Sequence, residues 1–110
     1  MRNEPSEERL ARIIRLYETE AIPTKDKIIH LHFFICGSDW YLSEFDGEDL
    51  FFGYAILNGD QQNAEWGYSS FSDIKFMNVD CIEIDCELEE FWIPKPVPEI
   101  PTIKVMEGKL

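Results

Sequence analysis

Ile29, Leu31, Phe33 and Ile35 alternate with His30, His32 and Phe34. This period of two predicts a β-strand over Lys27–Cys36 with the first set facing a core. A turn at Gly37-Ser38-Asp39 leads into a second strand, Trp40–Phe45. Asp46-Gly47 is a strong hairpin signal, and Leu50–Leu57, rich in Phe and Tyr, is the third strand. Asn58-Gly59 marks the next turn, residues 60–63 are polar, and Ala64–Ser70 is the fourth strand. Turns this short join only antiparallel neighbours, because a parallel pair needs a long crossover. Cys81–Leu88 alternates most regularly, with Ile82, Ile84, Cys86 and Leu88 facing inward and Glu83, Asp85, Glu87 and Glu89 outward. Ahead of the strands, Ser6 is an N-cap after Pro5, and Glu7 and Glu8 favour a helix start. Leu10, Ile13, Ile14 and Tyr17 then make one apolar stripe, and Pro23 ends any continuation. Ser70 with Asp73 forms a capping-box pattern ahead of Phe71, Ile74 and Phe76, enough for one or two helical turns.

The predicted architecture is α+β: a single domain over residues 1–94, with an antiparallel sheet of four to five strands, an N-terminal helix and a second short helix. Residues 1–27 are its helical lead-in and residues 28–94 its sheet region. Pro94, Pro96, Pro98 and Pro101 impose an extended run on the C-terminal tail, residues 95–110. Core positions are Ile29, Leu31, Phe33, Ile35, Ile82 and Ile84.

Length and composition agree with one core: 110 residues, 45% apolar and 14% aromatic. Charge changes the picture more. The net charge of −12 is unevenly spread. Residues 1–27 carry six acids and six bases, and residues 95–110 carry a net +1. Residues 28–94 hold fourteen acids and one base, Lys75, for −13. So acidic a sheet argues against direct binding to nucleic acid or to an anionic membrane. Three cysteines form no disulfide framework, the N-terminus lacks the apolar stretch of a signal peptide, and no uninterrupted apolar run exceeds four residues. These features predict a protein of a reducing cytoplasm.

Candidate chemistry is sparse. His30 and His32 share a strand face with Cys36, but Cys36 lies about 13 Å beyond His32 along a strand. Cys81 and Cys86 fall on opposite faces, so the sequence assigns no metal and no cofactor. Asp39, Asp46, Glu48, Asp49 and Asp60 lie in or beside turns, where hard-cation binding and turn chemistry both use Asp. Glu44 and Glu65 can face each other across strands, yet no nucleophile elbow, P-loop or Gly-rich dinucleotide turn is present. Trp40, Tyr41, Phe52, Tyr54, Trp66 and Tyr68 are read first as cross-strand packing and second as anchors of an interface.

Several segments carry a family resemblance. They are Leu16-Tyr17-Glu18-Thr19-Glu20, Gly37-Ser38-Asp39-Trp40-Tyr41, Glu44-Phe45-Asp46-Gly47, Leu50-Phe51-Phe52-Gly53-Tyr54, Asn58-Gly59-Asp60 and Asn63-Ala64-Glu65-Trp66-Gly67-Tyr68. Together they resemble a small bacterial family numbered two-nine-five-eight among domains of unknown function. Its members are often encoded on conjugative and other mobile elements. The resemblance covers Leu16 to Pro94 and implies a bacterial, cytoplasmic, mobile-element setting, with no activity to carry over.

Charge and setting together predict a non-enzymatic interaction protein that meets a basic protein surface. Its sharpest form is a nucleic-acid mimic that blocks a nuclease or nucleic-acid-binding protein, as in an anti-CRISPR or anti-restriction role. The expected contacts are Asp46, Glu48, Asp49 and Asp60 at one loop end, a second patch of Glu83, Asp85 and Glu87, and Trp66. The alternative is a small enzyme or metal-dependent binding domain, with Asp39, Glu44, Asn63 and Glu65, together with Asp60, converging in one polar pocket.

Overall fold

The computed structural model describes residues 1–79 and 82–103. In chain order they form α1 (Glu7–Ala11), β1 (Ile28–Ile29), β2 (Leu31–Ile35), β3 (Ser38–Phe45), β4 (Leu50–Ile56) and β5 (Glu65–Ser70). There follow α2 (Phe71–Ile74), β6 (Asn78–Val79), β7 (Ile82–Glu83), β8 (Asp85–Cys86) and β9 (Lys95–Pro96). The central sheet has five antiparallel strands in the order β5-β4-β3-β2-β8, so the architecture is α+β as predicted. The turn signals account for the meander. Gly47, at the β3–β4 turn, has φ of +90°, a conformation open to glycine at no steric cost.

Strand alternation places apolar side chains on both faces of this sheet. On one face Leu31, Phe33, Trp40, Leu42, Phe45 and Phe51 meet Phe71 and Ile74 of α2, Ile13 after α1, and Ile84. On the other face Tyr41, Tyr54 and Ile56 meet Ile29, Trp92, Val97, Ile100 and Ile103. Residues 95–103 of the Pro-rich segment are therefore docked as the second cover of the sheet. Each such aliphatic side chain gives about 2 kcal/mol on leaving water. β9 pairs with β1 and anchors the segment laterally. No helix among the described residues is long and apolar enough to cross a membrane.

Four local expectations need correction. The N-terminal helix is only five residues long: Ser6 caps it through a 3.1 Å bond from Arg9 N, but the backbone leaves the helix after Arg12. Tyr17 has φ of +69° and is exposed, because the segment from Ile14 onward wraps around the sheet end, where Phe45 N donates to Ile14 O. Ile29 lies in the second core, not beside Leu31. His30 is outside the ladder, and one irregular residue flips the pleat. The acidic strand is broken into β7 and β8, leaving Ile82 52% exposed while Ile84 is fully buried. Asp80 and Cys81 lie outside the described residues. Finally, the Ser70 side chain does not cap α2; Asp49, from the β3–β4 turn, accepts from Ser72 N at 2.8 Å instead.

Candidate functional site

The β3–β4 turn is built by its own acids. Asp46 Oδ1 accepts from the backbone N–H groups of Glu48 and Asp49 at 2.8 Å and of Leu50 at 3.0 Å. Partial burial opposes the charge on Asp46, but these three bonds and the nearby Arg15 outweigh it and hold its pKa below the ordinary value. Asp49 also accepts from the hydroxyls of Ser70 at 2.6 Å and Ser72 at 2.9 Å, and these bonds lower its pKa. Asp49 thus ties the turn to the start of α2. Both aspartates are structural ties that remain ionised at neutral pH.

Between this turn, α1 and α2 lies a groove of about 460 Å³. Glu4, Glu7, Glu48 and Asp49 line it, with Leu10, Phe45 and Phe71 as its apolar lining. It already holds two cations of the chain, Lys75 and Arg15: Lys75 Nζ is 3.5 Å from Glu4 Oε2 and stands 5.3 Å from the Phe71 ring centroid. Arg15 lies over Gly47 on the same groove. The arrangement can receive a basic side chain, with carboxylates for the charge and aromatic carbon for the stem. Glu4 and Glu7 were missed as groove residues. Acids near a helix start read as dipole partners, and no local signal showed that the β3–β4 turn packs opposite them.

The other predicted contacts are dispersed. Asp60 is not with Asp46, Glu48 and Asp49. β4 carries the chain to the opposite end of the sheet, where Asp60 caps a short turn through Asn63 N and Nδ2, and these bonds lower its pKa. Glu83, Asp85 and Glu87 do not form a free strip. The N-terminal residues run beside β8 through an Arg2–Asp85 bridge. Glu83 faces the Met1 ammonium at 3.4 Å, and Asp85 accepts from Asn3 at 2.9 Å. Glu87 lies 3.4 Å from His32 Nδ1, whose Nε2 is 2.7 Å from Asp39. Trp66 is half-buried on the Tyr54 face, against Phe52 and Tyr54, and so belongs mainly to packing.

Of the alternative polar pocket only Asp60 and Asn63 bond to each other; no hydrogen bond or ion pair among the described residues joins any other two of Asp39, Glu44, Asp60, Asn63 and Glu65. Asp39 goes to His32, Asn63 to Asp60, and Glu65 is exposed. Glu44 is 3% exposed, accepts from Tyr17 N at 2.9 Å and from the Thr19 hydroxyl, and pairs with Lys27 Nζ at 3.2 Å. Among the described residues no three His, Cys, Asp or Glu side chains gather as a metal site requires. No protein-family model, curated protein or solved structure matches the chain.

Proposed function

We propose that this is a non-enzymatic interaction protein of a bacterial mobile element. Its acidic surface occupies the basic surface of a nucleic-acid-binding or nuclease protein, as a mimic of nucleic acid. The mobile-element setting rests on the family resemblance. The observation that carries the reading is where the cations are. Among the described residues, no ion pair within 4.0 Å reaches Asp46, Glu48, Asp49, Asp60, Glu65, Asp73, Asp85 or Glu90. Charge left unpaired on this scale repels itself and attracts a basic surface over a Debye length, about 8 Å at physiological salt. The groove beside Glu48 adds the apolar contact that charge alone lacks, so it is the expected centre of the interface.

Charge reversal at Asp46 or Asp49 would break the turn and confuse folding with binding. Glu7 and Glu48 make no side-chain hydrogen bond or ion pair among the described residues, and Glu7 adds only a first-turn charge to α1, so they are the informative positions. The immobilised protein is exposed to bacterial lysate at low salt, and retained protein is challenged with excess duplex DNA. The reading expects DNA to release the partner. It also expects Glu7→Lys with Glu48→Lys to weaken retention by about tenfold or more. Retention insensitive to both DNA and the double substitution would overturn it.

A further inference from the structure

Arg9 is a buried cation without an anion. It is 8% exposed in a chain of net charge −12, yet none of the described carboxylates comes within 4.0 Å of its guanidinium. Nη1 donates to Glu87 O at 2.8 Å and approaches Cys86 Sγ at 3.7 Å. Nη2 is enclosed and has no hydrogen-bond partner. A second orphan, His30 Nε2, is also buried and unpartnered. Both residues line one cavity of about 240 Å³ between the N-terminal segment and the chain around Trp92. Native proteins rarely leave a buried polar nitrogen unmatched, and a lone buried charge is costlier still. The two residues that carry these nitrogens meet at one cavity, and that points to a ligand.

The lining defines its chemistry. A guanidinium only donates, so the ligand presents an acceptor, and the planar fork of Arg suits a carboxylate. One cation calls for one negative charge; burial lowers the pKa of His30 and keeps its ring neutral, with one N–H to give. Ile13, Trp92 and Ile93 supply apolar walls that a bare inorganic anion would not use. Glu89 stands at the same cavity as an opposing charge, but Arg12 neutralises it at 2.7 Å. We propose that this cavity binds a small aromatic monocarboxylate. Its carboxylate takes the free N–H of Arg9 and that of His30, and its ring lies among Ile13, Trp92 and Ile93.

The probe is benzoate, titrated into ¹⁵N-labelled protein while the indole N–H of Trp92 and the amide of Ile13 are followed. The expected result is a saturable shift at both at millimolar benzoate. Benzyl alcohol, the uncharged counterpart, and inorganic phosphate should each bind at least about tenfold more weakly. Arg9→Met should abolish the benzoate shift with the rest of the spectrum dispersed. If that variant does not fold, Glu89→Gln tests the same site from its exposed side. Removing the Glu89 charge leaves Arg12 unpaired at the cavity and should tighten benzoate by about two- to fivefold. No saturable shift, equal binding of benzyl alcohol, or no change on Glu89→Gln overturns the assignment.

Discussion

Glu44 separates counted charge from available charge. It is one of the fourteen acids of the sheet region, yet it never meets solvent as a free carboxylate. Burial works against its ionised form, but the bonds from Thr19, Tyr17 N and Lys27 outweigh that penalty and hold its pKa below 4.5. A lowered carboxylate pKa contributes stability that is fully present above the unfolded-state value. That contribution is lost as pH falls through the folded-state value. Glu44→Gln leaves Lys27 buried and uncompensated, and should cost about 3 kcal/mol at neutral pH in urea unfolding. The variant should also lose part of the fall in stability that the parent shows below about pH 4. Nothing in the sequence distinguished Glu44 from its neighbours. Its partner Thr19 lies beyond the apolar stripe that ends at Tyr17 and Lys27 at the start of the predicted first strand, and only the wrap of the lead-in around the sheet end brings them together.

At the scale of elements, strands bounded by strong turns were legible and the connections were not. β2 to β5 fall where alternation and the turn residues place them, because each such signal is local. The length of α1 was not local. Ile14 and Tyr17 continue the apolar stripe, but tertiary contact with Phe45 pulls the chain out of the helix. The Pro-rich run was equally opaque, since its three buried aliphatic residues, Val97, Ile100 and Ile103, recur every third position, which does not match the strand period of two, and they acquire their role only from the uncovered face of the sheet. Gly53 marks how tightly that sheet is assembled. A Cβ there would meet the Tyr41 carbonyl oxygen and come within 2.8 Å of Leu42 Cα, beside the bulge between Leu42 and Glu44. Backbone atoms in a central strand cannot yield cheaply, so Gly53→Ala should destabilise by about 3 kcal/mol, read as a lowered urea midpoint with unchanged slope.

At the scale of the molecule, the acidic excess divides into three populations. Some carboxylates are buried or paired, as Glu44 and Glu89 are. Some hold turns together while keeping their charge, as Asp46, Asp49 and Asp60 do. Others, such as Glu48 and Glu65, carry charge and no structural duty. Partitioning the charge along the sequence found the acidic region but not the groove, which draws Glu4 and Glu7 from the electrically neutral lead-in. The central claim is that this surface exists to meet a basic one. It is tested most directly by the affinity for the captured partner across a salt series, for the parent and for Glu7→Lys with Glu48→Lys. The account predicts an affinity that falls steeply as salt rises and a shallower fall in the double variant. An affinity unchanged by salt and by the double substitution would contradict it.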